Sequence, residues 1–304
     1  MLSNNAQPPL QLRMQAHNAE LSYSIWAHPS SVAALVHFHG IESHSGWYKD
    51  FAAQLWSRGI SVYCMDRVGS GLSSGPRNHI DSWRTWIAHA KAMLERARTE
   101  NPGKPIFVAG SCWGAKVVLQ LAICHPREAD GLILISPALR MRVALSFFVT
   151  LSVAASWVLS PRREYSIPIN DEQMFTRIAD HLDFIRKDPL RLRTATASFL
   201  VETRKLDSQN KRTLKELRIP TLVLLAERDE IVNVPAVEAQ LRKVNGIDMR
   251  TIPDTSHSME FAPSAEKLAH EIVSWTSAST NAKCCETVLR CTTRCGESAT
   301  AGRQ

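Results

Sequence analysis

The sequence predicts an α/β fold, a mostly parallel central sheet with helices on both faces and a helical insertion. Three observations predict it. Short apolar runs of strand length alternate with amphipathic helical stretches. Most of these runs end in a turn rich in Gly, Ser or Asp. One segment, 141–212, breaks the rhythm. At 304 residues, 44% hydrophobic and 21% charged, the chain can bury a full core without disulfides or metal. That composition excludes a disordered chain, a collagen-like fibre and a coiled-coil rod. No internal repeat is present.

The first clear strand is 33–38, ending at His39-Gly40. A helix over 47–58 follows, capped by Gly59, and then a strand over 60–65. After a Gly/Ser-rich loop, 66–76, a long amphipathic helix spans 82–98. Strand 105–109 runs into Gly110 and a helix over 113–124. Strands at 131–135, 221–225 and 249–252 and helices at 235–243 and 264–275 complete the pattern. The expected core is therefore 1–140 with 213–276. Segment 141–212 is helical in pattern and is expected to cap the carboxyl edge of the sheet, where ligands bind in such folds. Inside it, 143–159 is uncharged and apolar apart from Ser146, Thr150, Ser152 and Ser156. A buried or pocket-lining cap helix is the first reading, a helix on a membrane surface the second and a membrane span the third. Residues 277–304, rich in Ser, Thr, Ala and Gly, are expected to be a disordered tail.

The net charge is +7, from 36 Lys plus Arg against 29 Asp plus Glu. The densest basic stretch, 186–212, reads as a solvated helical face, with an anionic substrate or acidic lipid surface as the alternative. Nucleic acid is not an expected partner, since no binding motif accompanies the charge. The N-terminus lacks the pattern of a signal peptide. Cys64, Cys112 and Cys124 are scattered in apolar surroundings, which fits a reducing, cytoplasmic setting, peripheral membrane attachment being the variant. Cys284, Cys285, Cys291 and Cys295 crowd the tail without C-x-x-C pairs or a nearby His, a poor zinc pattern, and nothing else supports their lipidation. No GxGxxG after the first strand, P-loop or HExxH is present, so no cofactor or metal is expected.

The chemistry-bearing segment is Gly110-Ser111-Cys112-Trp113-Gly114, between a strand and a helix. A tight strand-to-helix bend that presents a nucleophile needs Gly110 and Gly114 two residues to either side, because it leaves no room for side chains there. Cys112 occupies the centre. Ser111 is the alternative nucleophile, but that register puts Trp113 where a glycine belongs. The helix N-terminus favours an anion and hence a thiolate. An inert cysteine in a relic site is the bland reading. A nucleophile needs a base and an orienting acid. His257 lies in the loop after the last strand and Asp229 just past the strand before it, with Glu227, Glu230 and Asp254 as fallback acids. The oxyanion donors are expected to be the backbone N–H groups of Trp113 and Ile41. His39 and His44 read as loop-ordering groups.

These residues resemble the α/β-hydrolase superfamily, and within it the monoacylglycerol lipase and serine aminopeptidase branch. The resemblance rests on the loop His39-Gly40-Ile41-Glu42-Ser43-His44-Ser45-Gly46-Trp47-Tyr48, the loop Asp66-Arg67-Val68-Gly69-Ser70-Gly71-Leu72-Ser73-Ser74-Gly75, and the order elbow, cap, acid, histidine. It covers about residues 20–276 and implies the α/β-hydrolase fold with a helical cap. Two positions depart from the pattern: Cys112 stands where the lipases have serine, and Trp113 is larger than the usual neighbour. A cysteine suits acyl transfer and activated or thioester substrates, as cysteine-elbow members such as dienelactone hydrolases and polyhydroxyalkanoate synthases suggest. The leading expectation is an acyl hydrolase or acyltransferase taking a lipophilic ester or thioester, with water, an alcohol, an amine or a thiol as acceptor. The alternatives are a non-catalytic module that keeps the pocket, and a membrane-associated lipid hydrolase.

Overall fold

The computed structural model describes the backbone of residues 8–169 and 171–297, with side chains to residue 280. The chain opens with a hairpin, β1 (Leu10–Ala16) and β2 (Ala19–Trp26). The sequence reading lacks this hairpin. Its two-residue turn, His17-Asn18, has both φ positive, at 43° and 64°, as a type I′ turn demands. Then come β3 (Ala33–Phe38), α1 (Lys49–Trp56), β4 (Ile60–Met65), α2 (Trp83–Glu100), β5 (Ile106–Ser111), α3 (Gly114–Cys124) and β6 (Gly131–Ile135). Next are α4 (Phe147–Leu159), β7 (Glu164–Ser166), α5 (Ala179–Lys187), β8 (Thr194–Thr196) and α6 (Ala197–Thr213). The chain closes with β9 (Thr221–Arg228), α7 (Val234–Leu241), β10 (Ile247–Ser256) and α8 (Ser264–Glu297).

Eight strands form one sheet in the order β1-β2-β4-β3-β5-β6-β9-β10. The β1/β2 and β2/β4 pairs are antiparallel and every other pair is parallel. The central strands β3, β4, β5 and β6 are buried along their whole length. A two-sided cover demands such continuously apolar strands. Parallel pairing brings the ends of β3, β5, β6, β9 and β10 to one edge.

Between β6 and β9 the chain is mainly helical, but it also forms a small antiparallel sheet, β7 with β8, where no strand was expected. The apolar segment behaves differently from its first reading as a buried or pocket-lining cap helix. α4 exposes Phe147, Leu151 and Val158, with Phe148 at 80% and Leu159 at 84%, and buries only Val153 and Ser156. The cause is that its hydroxyl face turns inward: Ser152 and Ser156 lie 2.9 and 2.8 Å from the Tyr165 hydroxyl. The backbone of α8 continues as helix past the expected end at 275 to Glu297, through a stretch that lacks proline and reaches its first glycine at Gly296. The side chains of Cys284, Cys285, Cys291 and Cys295, the last seven residues and the first seven lie outside the described residues. The readings placed on them stand there too. Among the described residues no helix is long and apolar enough to cross a membrane.

Candidate active site

The sharpest local feature is the end of β5. Cys112 has φ +51°, a left-handed conformation that a side-chain-bearing residue keeps only where its surroundings enforce it. Its N–H donates to the Ile135 carbonyl at 2.9 Å and its carbonyl accepts from Ala138 N at 3.0 Å, so the chain leaving β6 holds it on both sides. A Cβ on Gly114 would stand 2.2 Å from the Phe38 carbonyl oxygen, and one on Gly110 would stand 2.6 Å from Val118 Cγ2. Glycine at both positions lets α3 start hard against the end of β3. Cys112 is thereby presented at the carboxyl edge of the sheet, at a helix N-terminus.

Asp229 and His257, from the loops after β9 and β10, meet at this edge. His257 Nδ1 lies 2.8 Å from Asp229 Oδ2 and 3.0 Å from Oδ1. Asp229 Oδ1 also accepts the N–H groups of Ile231 at 2.9 Å and Val232 at 2.7 Å. Burial pushes the Asp229 carboxyl up, but the His257 charge and these donors outweigh it and hold the group below the usual carboxylate range. Burial likewise works against a charged His257. The Asp229 carboxylate, with the Cys112 sulfur as further partner, overrides it and holds the imidazole well above the ordinary histidine range. The fallback acids are engaged elsewhere: Glu230 pairs with Arg177, Asp254 with Arg228, and Glu227 accepts from Asp254 N.

The Ser111 hydroxyl is committed to a separate buried chain. It donates to Glu260 and lies 2.8 Å from His37 Nε2. With that hydroxyl hydrogen spent on Glu260, His37 donates from Nε2, and its Nδ1 is buried without a partner. Burial accordingly lowers the His37 pKa to about 3 and raises that of Glu260.

Neither the Ile41 N–H nor the Trp113 N–H donates to a protein acceptor among the described residues, whereas the Gly40 N–H donates to the Tyr48 hydroxyl at 3.0 Å. The large Trp113 side chain points away from Cys112. Its ring stacks on Phe199 at 5.2 Å and meets the edge of Trp86 at 4.6 Å, and its Nε1 donates to Thr203 at 3.0 Å. A bulky residue is tolerated there because only its backbone faces the elbow. His39 contacts the Gly40 carbonyl at 2.8 Å, and His44 pairs with Asp188 at 3.0 Å, so both order loops. The cavity beside Cys112, walled by Ile41, Tyr48, Phe175, His257 and Glu260 among others, measures about 20 Å³, room for about one water. Among the described residues no group of three His, Cys, Asp or Glu could hold a metal ion. Sequence reasoning missed Glu260, His37 and Arg67 as neighbours of the site. A charged residue inside the apolar run Met259-Glu260-Phe261 was the one available signal for Glu260.

Such an elbow, acid and histidine on a mostly parallel sheet define one class of enzyme, the α/β-hydrolases. The chain belongs to the serine aminopeptidase S33 family, whose model matches residues 29–263. It is 24% identical over 249 residues to the monoglyceride lipase of Homo sapiens, covering 80% of this chain and 81% of that protein. It is 28% identical over 251 residues to phospholipase YtpA of Bacillus subtilis, covering 81% and 91%. In fold it is similar to a monoacylglycerol lipase from Paleococcus ferrophilus, with TM-score 0.75, 22% identity, and 85% and 99% of the two chains covered.

Proposed function

We propose that this chain is an acyl hydrolase or acyltransferase for lipophilic esters or thioesters that works through an acyl-Cys112 intermediate. The observation that carries the reading is the Asp229–His257 pair, with Cys112 as the imidazole's other partner, in a backbone strained to present the sulfur. The relatives named for monoglyceride and phospholipid hydrolysis support a lipid ester as the substrate class. The Cys112 thiol gives its proton to His257 as the sulfur attacks the acyl carbon, and the carbonyl π pair moves to oxygen, facing the N–H groups of Ile41 and Trp113. As the bond to the leaving group breaks, His257 delivers its proton to the departing alkoxide or thiolate. A thiolate leaves more readily than an alkoxide, so ester cleavage depends on that proton. Asp229, which raises the His257 pKa, stabilises the imidazolium that holds this proton until the leaving group departs. Neutral His257 then takes a proton from water or another acceptor, which attacks the thioester and frees Cys112.

The exposed apolar face of α4, flanked by Arg140, Arg142, Arg162 and Arg163, suits an acidic lipid surface from which such substrates come. A cavity for one water admits no acyl chain, so substrate access requires its wall to move. Intact-protein mass spectrometry tests the reading with a medium-chain acyl thioester and a p-nitrophenyl ester. An acyl mass shift on wild type, mapped to Cys112 and absent from Cys112→Ala, is expected. Full turnover by Cys112→Ala overturns the covalent reading. No adduct and no turnover in wild type favours a non-catalytic binding module.

A further inference from the structure

We propose that Arg67 is a positioning residue for the oxyanion site, holding the Gly40–Ile41 peptide so that its N–H faces Cys112. The inference rests on the acyl-Cys112 reading and concerns a residue in the loop after β4, remote in sequence from the elbow. Arg67 is buried, at 4% exposed, and among the described residues it makes no ion pair. Its Nη1 donates to the Gly40 carbonyl at 2.7 Å, and its Nη2 donates to the Ile41 carbonyl and to Asn78 Oδ1, the latter at 2.9 Å. The guanidinium lies over the rings of Trp113 and Phe199, 5.0 and 5.4 Å from their centres.

A trans peptide is planar, so its C=O and N–H point in opposite directions. The Gly40 carbonyl and the Ile41 N–H belong to one peptide. Tying that carbonyl to Arg67 turns the N–H the other way, and Ile41 and Cys112 line the same cavity. His39 lies against the same group, its Nε2 accepting from Arg67 N at 3.1 Å and its Nδ1 2.8 Å from Gly40 O and 3.0 Å from Arg67 Nη1. A charged donor on that carbonyl polarises the peptide and strengthens its N–H as a donor. A buried cation without a carboxylate is costly, and a merely structural role is filled as well by a neutral donor. Here the charge sits behind a peptide whose N–H is unpartnered, and a developing oxyanion in front of it would use both. Burial lowers the Arg67 pKa to about 9, which leaves the group charged at neutral pH.

The experiment compares two reactions of Cys112 in wild type, Arg67→Met and Arg67→Lys. Acylation by a p-nitrophenyl ester passes through an oxyanion, whereas alkylation by iodoacetamide forms none. Arg67→Met is expected to slow acylation by roughly 10²–10³-fold, in kcat with little change in KM, and to leave alkylation within about threefold. Arg67→Lys, which keeps the charge and loses the fork, is expected to fall between them, and it carries the test if Arg67→Met does not fold. Equal loss of both reactions, or loss of neither, overturns the proposal. A wild type that is alkylated but never acylated overturns the acyl-Cys112 reading itself, and this proposal with it.

Discussion

At the scale of the residue, the site depends on contacts with no slack. The Cβ that Gly114→Ala introduces meets backbone, the Phe38 carbonyl oxygen at 2.2 Å, so either α3 or β3 must shift. We expect the variant to lose roughly 3 kcal/mol or more in urea unfolding, and a loss below 1 kcal/mol counts against this packing. Asp229→Asn keeps the shape and removes the charge that raises the His257 pKa. Its expected outcome is a fall in the Cys112 acylation rate of roughly 10²–10⁴-fold, read by single-turnover kinetics. An unchanged rate assigns Asp229 to structure alone. The meeting of the 110–114 bend with Asp229 and His257 at one sheet edge follows sequence features, because steric need fixes the glycine spacing and both residues fall just past strands that end at that edge. Ser111 shows the limit. Its partners His37 and Glu260 are 74 and 149 residues away, and no local pattern encodes a pairing made by packing.

At the scale of the element, α4 departs from the usual helix, with Ser152 and Ser156 held on Tyr165 and most of its large apolar side chains outward, Val153 excepted. Exposed patches of this kind mark interaction surfaces. Replacing Phe148 and Leu159 by serine is expected to release the protein from anionic vesicles in a sedimentation assay and leave its unfolding midpoint unchanged. Retained vesicle binding removes α4 as the contact. The sequence revealed an apolar segment here but not its orientation, since hydrophobicity states a preference for leaving water and not what replaces it. The first hairpin was missed for a related reason. β1 is an edge strand with Leu10 and Leu12 exposed, so burial supplies little of its signal, and its register comes from the turn at His17-Asn18. The interior strands were read well because their apolar runs are continuous.

At the scale of the whole molecule, the segment between β6 and β9 is joined to the sheet by buried polar links, and the core carries buried titratable groups. Arg191 donates to Glu42 at 2.8 Å and to Glu172 at 2.5 Å with its side chain fully buried. Arg191→Met strands Glu42 and is expected to cost roughly 3–5 kcal/mol in urea unfolding; a cost under 1 kcal/mol means the link contributes little. Acid stability tests the core more selectively. Burial holds His37 at about 3 and His89 at about 4, so the unfolded chain binds their protons first as pH falls. Stability from each is present above the unfolded value of about 6.5 and is lost progressively down to the folded value. Glu42, raised by burial to about 7, and Glu260, also raised, act in the opposite sense, losing stability as pH rises through the same window. Wild type alone therefore mixes the two effects, and the comparison with His37→Gln, which can still donate to Ser111, separates them. Between pH 7 and pH 4.5 wild type is expected to lose about 2.5 kcal/mol more than His37→Gln, the span of the His37 shift inside that window. Equal losses in the two proteins mean that His37 is either protonated in the fold or exposed on opening, and the neutral Nε2–H donor to Ser111 is then wrong.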